Sequence, residues 1–558
     1  MKIIDVASGR KKADLILRNV KHVNVRSGDI EETDIVIANG KIAALGRGYN
    51  GLEEFDATGL YAAPGFIEGH IHIESSMMTP PYFAKAVLKH GTTSVIADPH
   101  EIANVSGIDG VRFMIERSRN LPIDIFFMAP SCVPATPLET SGAKLNANDL
   151  KKLKNLERVI GLAEMMNFPG VYRNDPDVVK KLGIFEIQDG HAPLLRGKYL
   201  NAYISGGIYS DHECTEFDEA LEKLKLGMHI MIREGTLAKN LRTLLPLIKP
   251  ENWPFFSFVS DDRHPSTILN EGHLDSIVRK SLQLGLDLVT AIRLVTINTA
   301  RYFRLFDRGE IAPGKKADIV LFDKDINVNH VIKDGHWVVK FGEIQSQFAV
   351  SGSKIVGNMN VNPDLKSLRI PAKGNRVRVI QVIENSLITG EFISSARVRN
   401  GEVVSDVERD ILKISVWERH KGTGNVGLGF VNGFGLREGA IASTVAHDSH
   451  NIIAIGVTDS DTVFAVHRLK EIGGGMVVVK DGEVMAELPL PVGGLMADLD
   501  VDLLSKLEKN LNKAYRALGG TLANPFMQLS FLALPVIPEL KITDFGLVRD
   551  FKIVDLFV

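Results

Sequence analysis

Cysteine is almost absent from this chain: Cys132 and Cys214 are the only two in 558 residues. They lie too far apart for a CxxC pair, which excludes a thiolate-rich zinc site, and a disulfide framework is not expected either. A reducing cytoplasm is therefore the expected compartment. A dominant charge is also lacking. The chain carries 65 Lys+Arg against 68 Asp+Glu, a net −3, so nothing points to nucleic acid or to an anionic membrane as partner. No apolar run approaches the roughly 20 residues of a membrane span, and the opening Met-Lys-Ile-Ile-Asp-Val-Ala has no apolar signal core. No GxGxxG follows the first strand of the α/β region, and no Gly-Lys-Ser/Thr follows Gly473-Gly474-Gly475, so a dinucleotide site and a P-loop both lack support.

What is present is an ordinary globular composition, 45% hydrophobic and 24% charged, with sixteen histidines. At about 150 residues per domain the length allows three or four units, of which a barrel can take roughly 250 residues. Two β-rich stretches lie apart. The first holds strands at Asp14–Val20, Asp34–Ile37 and Lys41–Leu45, with a hairpin turn at Asn39-Gly40. The second holds Ala317–Phe322 and a hairpin through Asp334-Gly335 within Val331–Val339. They predict one small composite β domain built from residues 1–60 and 311–362. Between them, apolar runs alternate with helical patterns, which predicts parallel βα units. Eight strands are expected: Tyr61–Ile67, Thr93–Ala97, Ile123–Met128, Val159–Ala163, Ile184–Ile187, Ala202–Ile204, His229–Ile232 and Phe255–Val259. Eight units over this length fit a (β/α)8 TIM-type barrel at 61–310 better than an open doubly wound sheet. Residues 363–558, with glycine-rich stretches at 422–435, 473–475 and 493–494, read as an additional C-terminal α+β domain docked on the barrel.

Barrel chemistry gathers at the C-terminal ends of strands, and the metal-binding residue types fall there. His70 and His72 end the first strand two positions apart, so an extended backbone puts both imidazoles on one face, where they could share a divalent ion. Further ends read Ala-Asp98-Pro-His100-Glu101, Ala-Glu164-Met, Asp-Gly-His191-Ala-Pro, Ser-Asp-His212-Glu213 and Ser-Asp261-Asp262-Arg-His264-Pro. A single histidine at such a place is commonly a hydrogen-bonded rim residue; a series of this kind is much harder to reach by chance. Imidazole and carboxylate donors without thiolate favour Zn, Mn or Fe(II).

The strings Gly-His-Ile-His-Ile-Glu-Ser-Ser-Met, Ala-Asp-Pro-His-Glu-Ile-Ala-Asn-Val, Asp-Gly-His-Ala-Pro, Ser-Asp-His-Glu and Ser-Asp-Asp-Arg-His-Pro resemble the bacterial and archaeal adenine deaminase family of the amidohydrolase superfamily. The C-terminal Val445-Ala-His447-Asp448-Ser-His450-Asn is also similar, so the resemblance covers the whole chain. It implies hydrolytic deamination of adenine to hypoxanthine and ammonia. It further implies a binuclear centre held by His70, His72, Glu164, His191, His212 and Asp261, with Mn(II) or Fe(II) as the associated metals and a homodimeric assembly. Glu164 stands where many binuclear relatives carry a carboxylated lysine.

Within that reading Asp261 is the candidate general base, with Asp262 as its neighbouring rival; strand alternation would turn only one of them inward. Glu74, Glu101 and Glu213 are the candidates for protonating the ring nitrogen, and continued alternation past His72 would aim Glu74 at the mouth. His100 is expected in substrate contact or in orienting a neighbour, Ser75 in contact with the base or capping the next helix, and Arg233-Glu234 as an ion pair on the rim. His447, Asp448 and His450 have too few ligands for a second metal site and are expected in a polar turn or a flap over the barrel mouth. The alternatives are a cyclic-amide hydrolase of the same superfamily, which the glutamate at 164 and the long C-terminal region fit poorly, and a non-catalytic barrel homologue, which would have lost its ligands. A cytidine-deaminase-type zinc site is excluded by the missing Pro-Cys-x-x-Cys.

Overall fold

Eight parallel strands surround the chemistry: β1 Phe66–Ile71, β2 Thr92–Ala97, β3 Asp124–Ala129, β4 Val159–Met165, β5 Gln188–Gly190, β6 Ser210–Asp211, β7 His229–Arg233 and β8 Phe256–Val259. The computed structural model describes residues 3–345, 348, 357–384 and 386–558. The strands form a five-stranded sheet in the order β5-β4-β3-β2-β1 and a three-stranded sheet in the order β6-β7-β8. The two sheets meet. Ile71 bridges Asp261 in parallel sense, Asp261 N donates to His70 O at 3.0 Å, and on the other side Gly190 N donates to Ser210 Oγ at 3.2 Å. The region is an α/β, TIM-like unit. Strands such as Thr92–Ala97 and Phe256–Val259 are buried along their whole length, as expected for parallel strands covered on both faces.

Three strand expectations shift. Tyr61–Ile67 is two elements: Tyr61–Pro64 belongs to another sheet and β1 starts at Phe66. The break is Gly65, where a Cβ would sit 2.1 Å from Thr93 Oγ1. The fifth strand lies at 188–190 rather than 184–187. Ala202–Ile204 is not a strand at all; it lies in the helix Gly197–Ser205, whose buried residues Leu200 and Tyr203 are three apart, a helical spacing. The true sixth strand, Ser210–Asp211, is two polar residues long and has no hydrophobic signature.

A nine-stranded sheet joins the two β-rich stretches. Tyr61–Pro64 pairs antiparallel with Ile319–Phe322, Tyr61 opposite Phe322 and Pro64 opposite Ile319. Three of its tight hairpins turn at Asn39-Gly40 (φ 52° and 72°), Asp334-Gly335 (φ 49° and 79°) and Phe341-Gly342 (φ 53° and 76°), the double positive φ of a type I′ turn. Part of the second stretch, 346–347 and 349–356, lies outside the described residues. Beyond it, an eight-stranded sheet spans residues 376–489, with the helices Asp459–Ile472 and Val501–Ala517 packed on it. This region contacts the barrel through Lys85 Nζ–Asp500 (2.7 Å), His264 Nδ1–Glu508 (2.7 Å) and Thr140 N–Asp544 (2.9 Å). Among the described residues no helix is long and apolar enough to cross a membrane.

Candidate active site

The strand ends converge on one buried cluster. His72 Nδ1–H donates to the Asp98 carbonyl at 3.0 Å, so its Nε2 is the ring atom that faces Asp261 Oδ1 (3.2 Å) and Glu164 Oε1 (3.3 Å). His70 Nε2 lies 3.8 Å from Asp261 and 3.9 Å from Glu164. The other Glu164 oxygen meets His191 Nδ1 at 2.7 Å and His212 Nε2 at 3.1 Å. Glu164 thus sits among five imidazoles, with His70, His72 and His100 toward one oxygen and His191 and His212 toward the other. Burial works against its ionisation, but His212 and His191 hold its carboxyl well below the usual carboxylate range.

Asp261 reaches the cluster from an unusual backbone. Its φ is 57°, the left-handed region that a non-glycine residue enters only when its surroundings impose it. Here the constraint is visible: Asp261 N donates to His70 O, and His72 N donates to Asp261 O at 3.3 Å. The alternation expected past β8 therefore stops, and Asp261 and Asp262 both line the cavity. They differ in partners. Asp261 faces the histidines, whereas Asp262 accepts from Ser75 Oγ and from Arg233 Nη2.

Arg233 belongs to the site and not to a rim pair with Glu234. Its guanidinium lies 2.6 Å from Glu213, 2.9 Å from Asp261 and 2.5 Å from Asp262. Glu234 turns away to Lys280 at 3.2 Å. Burial opposes the Asp261 anion, and Arg233 beside it overrides that penalty.

The remaining candidates divide. Glu101, Glu213 and His100 line the cavity; His100 Nδ1 is 3.0 Å from Asp98 and 3.3 Å from Glu164. Glu74 does not line it. The chain leaves the extended state after His72 and enters a 3-10 turn, Ile73–Ser76. Glu74 Oε1 instead accepts from Ile102 N at 3.1 Å, inside the helix His100–Arg117, and burial pushes its carboxyl up to about 7. Ser75 is likewise one step removed, acting on Asp262. The C-terminal turn does lie over the mouth: His447 and His450 both engage the Glu101 carboxylate, and Asp448 is 3.6 Å from His100. Met166 from the barrel and Leu387, His447, Asp448, Phe531 and Leu534 from the C-terminal region complete the lining. Of these, the sequence pointed to His447 and Asp448 as a flap over the mouth, but its spacing had no means of finding Leu387, Phe531 or Leu534.

The residues fit a divalent cation. Buried Nε2 of His70, Nε2 of His191 and Oδ1 of Asp261 make no hydrogen bond, a costly state for polar atoms unless another group satisfies them. Ligand atoms of His70, His212 and Asp261, of Glu164, His191 and His212, and of His72, Asp98, His100 and Glu164 fall within 4.8 Å of one another in each set.

Comparison with known proteins agrees. The amidohydrolase family model matches residues 61–338, and the adenine deaminase C-terminal domain model matches 386–552. An adenine deaminase of Thermosipho melanesiensis is 48% identical over 570 aligned residues, covering 100% of this chain and 99% of the relative. One from Desulfatibacillum aliphaticivorans is 47% identical over 564, again covering 100% and 99%. The chain belongs to the adenine deaminase family. The segment matched by the adenine deaminase C-terminal domain contains all five C-terminal lining residues, of the sixteen that line the cavity. A solved β-aspartyl dipeptidase of Fervidobacterium islandicum AW-1 is similar at a TM-score of 0.46 and 17% identity, covering 61% of this chain and 99% of that one.

Proposed function

We propose that this protein hydrolyses adenine to hypoxanthine and ammonia in a metal centre at the mouth of a (β/α)8 barrel, with an α+β C-terminal domain (363–558) closing the site and the composite β domain (1–60 with 311–362) flanking the barrel at 61–310. The observation that carries the reading is the buried imidazole–carboxylate cluster around Glu164 and Asp261, met from above by residues of the adenine-deaminase-type C-terminal region. His70, His72, Glu164, His191, His212 and Asp261 would hold two divalent ions, Mn(II) or Fe(II) by the family resemblance, with Zn(II) compatible with the same donors. Such a centre supplies Lewis-acid activation of water near neutral pH.

The side chains do the rest. Asp261, kept ionised beside Arg233, accepts the proton of the attacking water and delivers it to the departing amine. Arg233 also fixes Asp262 and Glu213, so the acidic side of the cavity keeps its shape. Glu101, whose carboxyl His447 and His450 hold well below the usual carboxylate range, serves the ring nitrogen as a relay: it takes a proton from one of these imidazolium partners and passes it on. Glu74 is a positioning residue behind it, anchoring the helix on which Glu101 sits. The active species is a cytoplasmic homodimer, checked by light scattering of the purified protein.

The test is an adenine assay on chelator-stripped protein with and without added Mn(II) or Fe(II), beside His72→Ala. Metal-restored hypoxanthine formation, absent in His72→Ala, is the expected result. Two bound ions with adenine untouched would favour a cyclic-amide substrate, and no metal binding at all would overturn the catalytic reading.

A further inference from the structure

The catalytic cavity has a neighbour. A second pocket, of about 180 Å³ against about 20 Å³ for the catalytic one, lies beside it. The two share Glu213 and Leu387 as lining residues and no others. Their common wall therefore has one charged and one apolar element. Glu213 is pinned by Arg233 at 2.6 Å. Leu387 is buried at 6% exposure and is held by its backbone: its carbonyl accepts from Lys541 Nζ at 2.7 Å, and the same ammonium group donates to the carbonyl of the lining residue Phe531 at 3.1 Å. The isobutyl group of Leu387 is thus the part of the wall that can be cut back without unpairing a charge.

The orientation of a bound 6-aminopurine follows from its chemistry. The carbon that loses its amine must face the strand-end cluster of His72, His212, Glu164 and Asp261. In a purine the N9 edge lies at the opposite end of the bicycle, so N9 faces away from the strand ends and toward the C-terminal wall, where Leu387, Phe531 and Leu534 stand. A substituent on N9 would run into that wall. Behind Leu387 the second pocket offers Thr215, Asn240 and Ser386, hydroxyl and amide groups suited to sugar hydroxyls.

We infer that Leu387 is the specificity-determining residue that restricts this site to the free base, and that the pocket behind it is a latent ribose-sized subsite. The inference rests on the adenine reading above. It is tested by measuring adenine and adenosine turnover, as hypoxanthine and inosine formed, in the metal-loaded full-length protein and in Leu387→Gly and Leu387→Ala. Shortening the side chain should raise the adenosine-to-adenine ratio by at least about tenfold, the scale on which one or two methylenes in a closed pocket discriminate. Adding Ala238→Trp, which fills the second pocket, to Leu387→Gly should return the ratio toward its starting value. The ratio is read on whatever fraction of a variant is folded, so partial loss of protein does not mimic the effect. An unchanged ratio in both short variants, with adenine still turned over, overturns the inference. Wild-type protein inactive on adenine would instead overturn the reading beneath it, a separate outcome of the same assay.

Discussion

Glu101, near the start of the helix that follows β2, holds its carboxylate against His450, 349 positions later in the chain. His447 engages the other oxygen of the same carboxylate, and the Phe531 ring stacks on His447 with centroids 4.6 Å apart and planes 9° from parallel. One glutamate of the barrel is thereby fixed by the C-terminal region. Residues in one buried ionic network couple non-additively, so a double-mutant cycle of Glu101→Gln and His450→Asn should show an interaction of about 0.5–3 kcal/mol in denaturant-unfolding free energy. Additive effects would mean that the contact is idle. Glu101→Gln should also lower kcat by about 10²-fold or more if it relays the ring proton.

Arg233 compensates three buried carboxylates at once, those of Glu213, Asp261 and Asp262. Its replacement by Met keeps much of the side-chain bulk and leaves the anions uncompensated. Breaking a buried ion pair from one side costs about 3–5 kcal/mol, and urea unfolding of metal-stripped Arg233→Met should show a loss of that order. A change below about 1 kcal/mol, the worth of an exposed pair, would contradict the geometry.

Lys541 carries a pH signature. It is 1% exposed and donates to backbone carbonyls, and burial pushes its ammonium down to about 7 from the usual 10.5. Between those two pH values the unfolded chain keeps a proton that the folded chain has released. Stability relative to Lys541→Met should therefore be flat below pH 7 and rise from 7 to 10.5, by at most about 1.4 kcal/mol per pH unit. Paired unfolding curves across that range read it directly; a constant difference would mean that Lys541 stays charged in the fold.

Gly65 marks where the chain crosses from the composite sheet into the barrel. Gly65→Ala would place a methyl 2.1 Å from Thr93 Oγ1, and overpacking of this kind costs about 1–3 kcal/mol. Gly65→Ala combined with Thr93→Ala should recover part of that loss in a thermal melt, since Thr93 Oγ1, Cγ2 and Cβ are the atoms the new methyl would meet.

Much of this site was legible in the sequence because its signals are local. His70 and His72 are two apart on one strand, and Glu164, His191 and His212 each follow an apolar run or a turn. What escaped did so for identifiable reasons. Arg233 and Glu234 are adjacent, so they invite pairing on paper, yet consecutive strand residues point to opposite faces and each found a different partner. Asp261 breaks the alternation because its hydrogen bonds with His70 and His72 hold it in a left-handed backbone. Glu74 was expected at the mouth by an extension of the strand that a 3-10 turn cuts short. The sixth strand has two polar residues and no hydrophobic period to read. Leu387, Phe531 and Leu534 were invisible because an apolar residue hundreds of positions from its neighbours announces nothing about where it will pack.

The pairing of Tyr61–Pro64 with Ile319–Phe322 has a consequence during synthesis. The strand at 61–64 emerges from the ribosome long before its antiparallel partner exists, and about 260 residues must be added in between, tens of seconds at ~5–20 residues per second. Throughout that interval its open edge can pair with the wrong strand or with another nascent chain. The last part of the composite sheet to be translated is therefore the clasp that ends this exposure, so nascent chains stalled before residue 319 should be held by ribosome-associated chaperones and those stalled beyond residue 345 released.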